Sequence, residues 1–316
     1  MIHLDRGFAA PRSQPVSRGR FLALSGAMLA AAAAASRPAV AAEMTRKPIP
    51  RSKTGETLPV IGVGTNRFGR DGGATENKIG VIRTLLDRGG AVVDTAEAYG
   101  ESEAVLGEIF TGLNARPKLF VASKLRRTGR ADGVATMENS FKRLRTEVID
   151  LMMVHNLVDT ATQLPIMQEW KAAGRYRYVG ASHSSPEEQE ALAEVMAGQE
   201  IDVVQLNYSV DVRGPEQKLL PLAAERGIAV MANLPLGRGR LLEKVRGQPV
   251  PEWAAKELNC TSYAQLLLKF VVSHPAVTVA IPGTVTPKYM ADNVGAGLGP
   301  MPTEAQRARI AAIWAA

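Results

Sequence analysis

Eight short runs rich in β-branched and apolar residues punctuate the chain, at 60–65, 91–95, 119–123, 150–154, 177–181, 203–207, 228–232 and 278–281. Segments with helical spacing or helix-favouring composition separate them, at 75–88, 101–110, 132–144, 163–173, 187–197, 215–226, 262–273 and 287–294. Punctuation supports the reading: Ser185-Pro186 before Glu187 is a helix start, and Gly89-Gly90 after Arg88 is a stop. Eight strand-then-helix units in roughly 260 residues fit a (β/α)8 TIM barrel, an α/β fold, better than a doubly wound sheet. No wide Gly/Pro/Ser linker splits the series, so residues 43–316 read as a single domain. The stretch 235–261 is irregular, and 303–315 is expected to add a terminal helix.

The first 42 residues stand outside that series. They carry Arg6, Arg12, Arg18 and Arg20, then an apolar run from Phe21 to Ala35, then Ala39-Val40-Ala41. That order is a charged region, a hydrophobic region and a small-residue cleavage site, which reads as an export signal. A membrane span needs roughly twenty apolar residues, so the run is too short to remain as an anchor. "SRGRFLAL" at 17–24 resembles a twin-arginine signal, with Gly19 where a second consecutive Arg is expected. The expectation is a mature chain beginning near Ala42 in the periplasm, or a cytoplasmic protein if the signal does not function. Removing the five Arg and one Asp of residues 1–42 takes the net charge from +7 to +3. The basic excess thus belongs largely to the signal and argues little for nucleic acid, and no nucleic-acid partner is expected.

Composition excludes two further classes. With 46% hydrophobic and 22% charged residues the chain is not disordered. Cys260 is the only cysteine, so no intramolecular disulfide forms.

The strand endings carry the chemistry. The runs finish at Gly64-Thr65, Asp94, Lys124, His155, Ser182-His183, Gln205 to Asn207, Asn233 and Pro282-Gly283-Thr284. In a barrel of this type these ends share one rim, where catalysis occurs. Separately, Asp94 and Lys124 would be an ordinary buried ion pair and His155 a satisfied core histidine. Together with Tyr99, on the turn after Asp94, they form a set that solvation does not explain.

The motifs "DTAEAYGESEAVLG" (94–107), "VASKL" (121–125), "DLMMVHN" (150–156), "VGASH" (179–183), "VQLNY" (204–208), "PLGRG" (235–239) and "IPGTVTPKYMADN" (281–293) resemble those of the aldo-keto reductase family, over about 57–298. The resemblance implies hydride transfer from a nicotinamide cofactor, NADPH with NADH as the alternative, to a small-molecule aldehyde or ketone. It makes Tyr99 the acid that protonates the carbonyl oxygen. An ordinary phenol has a pKa near 10, so an ammonium, Lys124, has to stabilise the phenolate left behind, with Asp94 holding Lys124 charged and aimed. His155 takes the family's position for orienting the substrate oxygen or joining the proton path.

For the cofactor, the resemblance implies Gly64 and Thr65 on the first rim loop, and Ser182, His183 and Gln205 at the nicotinamide carboxamide. His183 replaces a usual Asn, and Asn233 replaces the usual stacking Tyr. Leu236, Gly237 and Arg238 align with the pyrophosphate loop, and Thr284, Lys288 and Asn293 with the adenosine side, where Asp292 is a short version of a usual Glu. Gly283 and Tyr289 stand where many relatives carry the Lys and Arg that clamp the 2′-phosphate, leaving Lys288 as the compensating cation. No metal site is expected. The chain stops soon after its last helix, so an open pocket mouth is expected, and Arg126, Arg127 and Arg130 read as a solvated loop or as a preference for an anionic substrate. The alternative function is a barrel that keeps the cofactor site for redox sensing or binding and turns over negligibly.

Overall fold

The eight apolar runs become eight parallel strands. The computed structural model describes residues 43–73 and 75–315. An antiparallel hairpin comes first, β1 (Arg46–Pro48) with β2 (Thr57–Pro59). The barrel strands are β3 (Val63–Gly64), β4 (Val92–Asp94), β5 (Phe120–Leu125), β6 (Ile149–His155), β7 (Tyr176–His183), β8 (Val203–Asn207), β9 (Ala229–Asn233) and β10 (Val277–Ala280). They pair in chain order from β3 to β10. Parallel bridges Ile61/Ala280 and Gly64/Gly283 draw the ring together. Glycine suits the close approach at this seam: a Cβ on Gly64 would stand 3.0 Å from the Ile281 carbonyl oxygen.

The helices between strands are α1 (Thr75–Asp87), α2 (Ser102–Gly112), α3 (Arg130–Leu144), α4 (Thr160–Ala172), α5 (Gln189–Gly198) and α6 (Leu219–Arg226). After β9 come two short helices, α7 (Arg240–Lys244) and α8 (Glu252–Leu258), within the stretch read as irregular, then α9 (Tyr263–Val272). After β10 come α10 (Pro287–Gly295) and the extra terminal helix α11 (Glu304–Ala315).

Strand alternation divides the core in two. Val92, Phe120, Ala122, Leu151, Met153, Val203, Ala229 and Met231 fill the barrel interior. Val93, Val121, Met152, Val154, Val204 and Val230 face the other way and pack under the helices. Ile49 and Leu58 join the interior cluster, so the hairpin stoppers the end where the strands begin. Its two strands are only three residues each and both contain proline, too short for a period-2 signal to emerge from the sequence.

Among the described residues no helix is long and apolar enough to cross a membrane. Cys260 is buried, and burial pushes its thiol up to about 11, which makes it inert. The export segment, residues 1–42, lies outside the described residues.

Candidate active site

Strands β4, β5 and β6 are neighbours, so Asp94, Lys124 and His155 meet at their common C-terminal rim. Lys124 Nζ donates to Asp94 Oδ2 at 2.8 Å and to the Thr95 carbonyl at 2.8 Å, and lies 3.4 Å from the Tyr99 hydroxyl. The pair is buried, with Lys124 1% and Asp94 3% exposed. Burial alone would push the ammonium down; the Asp94 carboxylate and the Tyr99 hydroxyl outweigh it, and Lys124 is held above the ordinary lysine value. The lysine is therefore a fixed positive charge aimed at the phenol oxygen.

Tyr99 reaches that charge because its loop is tied down at several points. Glu97 N donates to the Lys124 carbonyl at 3.2 Å, and Tyr99 N donates to the Ala96 carbonyl at 3.0 Å. Gly100 then takes φ +60°, a left-handed turn that costs glycine little, and the chain enters α2 at Ser102. Ser102 Oγ donates to the Thr65 carbonyl at 2.9 Å and lies 3.0 Å from Thr95 Oγ1. The turn after Asp94 thus returns the phenol over the rim.

The His155 ring stands edge-on to Tyr99, ring centroids 5.8 Å apart. Burial first, then the charges of Lys124, Arg126 and His183, lower its pKa to about 3. At neutral pH it is an uncharged imidazole with one N–H to donate and no proton to give up as an acid. This has a consequence for stability. A histidine depressed on folding stabilises fully above its unfolded value of 6.5 and loses that contribution as pH falls toward 3. Glu138, lowered from 4.5 by its hydrogen bond to Arg175, loses its contribution only as pH falls below 4.5, and buried Glu103 is raised, which has the opposite sign. We therefore expect the thermal midpoint of the wild type to fall more steeply between pH 6.5 and 4.5 than that of His155→Gln. Parallel curves would show that the ring is not held neutral.

Beyond His155 the rim is rich in amides. Gln205 Nε2 donates to Asp94 Oδ1 at 2.8 Å, and Asn233 Nδ2 donates to Gln205 Oε1 at 3.3 Å. Gln205, expected at the nicotinamide carboxamide, thus supports the Asp94 carboxylate from behind. Asn207 and Asn233 are register partners, and each leaves its buried Oδ1 without a hydrogen-bond partner among the described residues, as does His155 at Nδ1. Buried orphan acceptors at one rim ask for a donor. A carboxamide NH2 group meets that need, so the rim fits a nicotinamide. Ser182 is buried beside them. His183 Nδ1 accepts from Ser185 N at 3.2 Å, which places its proton on Nε2, free to donate as the usual Asn would.

Thr65 takes a supporting part, its hydroxyl donating to the Asp94 carbonyl at 2.8 Å, and Gly64 lies at the barrel seam. The phosphate-side positions lie on the loops after β9 and β10, adjacent strands. Leu234, Gly237, Arg238 and Gly239 all have positive φ, so the backbone turns tightly through Leu236 to Gly239. Arg238 is exposed there, whereas Arg240 is committed to Asp211. Thr284 Oγ1 accepts from Thr286 N at 3.1 Å and so shapes the entry to α10. Lys288 and Tyr289, the latter 60% exposed, lie on that helix, and Asn293 is buried in it. Asp292 is spent within the protein, accepting from Ser262 Oγ at 3.0 Å and Gln265 Nε2 at 2.8 Å.

Two residues of the site were not singled out in the sequence. Glu97, only 6% exposed, accepts from Arg126 N at 3.1 Å and forms a two-pronged pair with Arg127; it ties the Tyr99 loop to the end of β5. Its place between two small residues in "AEAYG" looks like solvent-facing loop. Asn207 shares strand parity with Gln205, a signal that was present and needed only the inward face to be counted.

A sequence model described as the Aldo/keto reductase family matches residues 60–315. Methylglyoxal reductase YeaE of Escherichia coli strain K12 is 32% identical over 244 residues, covering 75% of this chain and 84% of that protein. Aldo-keto reductase YhdN of Bacillus subtilis strain 168 is 32% identical over 210 residues, covering 61% and 62%. Among solved structures, an aldo/keto reductase from Klebsiella pneumoniae in complex with NADP and acetate superposes with a TM-score of 0.71 at 26% identity, covering 85% of this chain and 96% of that one.

Proposed function

The chain belongs to the aldo/keto reductase family, and from that membership we propose that it reduces an aldehyde or ketone to the alcohol with NADPH, Tyr99 supplying the proton. The observation that carries the assignment of roles is the buried chain Asp94–Lys124–Tyr99, with the ammonium 2.8 Å from the carboxylate and 3.4 Å from the phenol. A protein that merely binds a cofactor has no use for a phenol wired in this way.

A bound reduced nicotinamide supplies the hydride that the carbonyl carbon accepts. His155, uncharged, donates its N–H to the carbonyl oxygen and so orients it. Tyr99 gives its proton to that oxygen as negative charge develops there, and Lys124 stabilises the phenolate that results. Asp94 keeps Lys124 charged, with Gln205 fixing the second carboxylate oxygen. His183, Ser182, Asn207 and Asn233 would hold the carboxamide. Leu236, Gly237 and Arg238 would take the pyrophosphate, and Thr284, Lys288 and Asn293 the adenosine end. The Klebsiella relative's NADP supports the choice of cofactor, and exposed Lys288 supports it through charge.

Titrating the purified barrel with NADPH and with NADH, then following cofactor consumption against a panel of aldehydes and ketones, tests the proposal. We expect saturable binding of NADPH and turnover of at least one carbonyl class. Failure to bind either cofactor would overturn it.

The proposal extends to residues 1–42, whose arginine-flanked apolar run supports export of an already folded barrel. A nicotinamide enzyme outside the cytoplasm would need to carry its cofactor with it, and a route for folded proteins permits that. Sequencing the N-terminus of the protein from its native host is the check: a mature chain starting near Ala42 is expected, and a retained Met1 in the cytoplasm would end the export reading.

A further inference from the structure

Three arginines follow Lys124 around the rim, and the structure separates their roles. Arg127 is committed to Glu97 at 3.0 Å, and Arg130 to Glu169 at 2.6 Å. Arg126 has no carboxylate partner and no side-chain hydrogen bond among the described residues, and it is exposed. Its backbone is nevertheless fixed, because Arg126 N donates to Glu97 Oε1 at 3.1 Å.

Register says where that unpaired guanidinium stands. Strands β5 and β6 pair Lys124 with Met153 and Leu125 with Val154; continued one residue past the end of β5, that register sets Arg126 beside His155. Arg126 shares strand parity with Lys124, and His155 with Met153; Met153 belongs to the interior cluster and the Lys124 ammonium points to the phenol. Alternation therefore sends the Arg126 stem over the barrel mouth, on the side where Tyr99 and His155 meet the substrate. Two carboxylates of this rim are already taken: Asp94 by Lys124 and Gln205, and Glu97 by Arg127. The same guanidinium is among the charges felt by His155.

Building on the carbonyl-reducing function, we propose that Arg126 recognises a carboxylate carried by the substrate, so that oxo acids and carboxylate-bearing aldehydes are the favoured class. A planar guanidinium with unoccupied donors matches a carboxylate through two parallel hydrogen bonds. His155 and Tyr99 take the carbonyl oxygen while Arg126 takes the acid group, and two anchors fix which carbonyl carbon lies over the rim. Arg126 is a specificity residue in this arrangement and transfers no proton.

The test compares each acid with its own neutral ester: glyoxylate with methyl glyoxylate, and 4-oxobutanoate with methyl 4-oxobutanoate, all with NADPH. The readout is the ratio of kcat/KM for acid over ester. For the wild type the better of the two acids is expected to exceed its ester, and the ratio to fall as salt is added. Arg126→Gln should lower that ratio about ten- to hundredfold, the size of a charge-assisted hydrogen bond, through KM for the acid. Arg126→Lys, which keeps the charge and loses the fork, should recover part of it. An indirect structural effect would move acid and ester together and leave the ratio alone. An unchanged ratio in Arg126→Gln, with both probes reduced, overturns the role of Arg126 and leaves carbonyl reduction standing. If no acid or ester consumes NADPH, carbonyl reduction itself is in question and this inference falls with it.

Discussion

Tyr99→Phe is expected to lower kcat for carbonyl reduction by at least about 10²-fold, the lower range for loss of a general acid. The variant keeps the ring, and with it the edge-on contact to His155 at 5.8 Å and the position of the Lys124 ammonium 5.0 Å from the ring centroid. What it removes is the hydroxyl, whose hydrogen-bond contact among the described residues is the 3.4 Å approach of Lys124. Folding should therefore survive, and NADPH affinity should change little, because the carboxamide and phosphate positions lie on other strands. No neighbour can take over the proton. His155 has its pKa lowered to about 3 and carries no acidic proton at neutral pH, and the Lys124 ammonium is held charged by Asp94. Single-turnover rates with saturating cofactor give the measurement. An undiminished rate in the Phe variant would mean that Tyr99 is not the acid.

Lys124→Met should damage both activity and stability. The stem is replaced by a side chain of similar volume, so packing is nearly kept. The charge is not, and Asp94, 3% exposed, then faces the barrel interior with only Gln205 donating to it. Removing one partner of a buried pair costs about 3–5 kcal/mol, because the other is left as an uncompensated charge. Denaturant midpoints should show this loss. The double variant Asp94→Asn with Lys124→Met removes the stranded carboxylate and should recover much of the stability, while activity stays low because nothing stabilises the Tyr99 phenolate. Recovery of activity along with stability would show the pair to be structural. A single Met variant as stable as the wild type would show that the pair contributes nothing to folding.

The eight strands, the helices between them and the terminal helix were legible because each is a local pattern: a run of apolar residues, a change of period, a Gly or Pro at its end. The first strand was read as 60–65, yet only Val63–Gly64 pairs as a strand proper, because the barrel seam uses isolated bridges at Ile61 and Gly64 instead of a full ladder. Strand endings made Asp94, Lys124 and His155 legible too, since a polar residue closing an apolar run is visible without knowing its neighbours. Tyr99 stood out beside them, but its role needed the resemblance, for nothing local says that a turn folds back.

What the sequence determined by itself, then, is the barrel and the chemical types on its rim. Those follow from interactions between residues close in the chain and from strand parity, which counting reveals. The tertiary structure decided how those types are paired. Gln205 came to support Asp94 across 111 positions, Glu97 captured Arg127 across 30, and Glu169 captured Arg130 across 39. Three arginines that looked alike in the sequence became two structural ties and one unpaired guanidinium beside His155. Charge pairing depends on distance in space, and distance between residues far apart in the chain is set only when the strands close into a ring and the loops are stacked upon it.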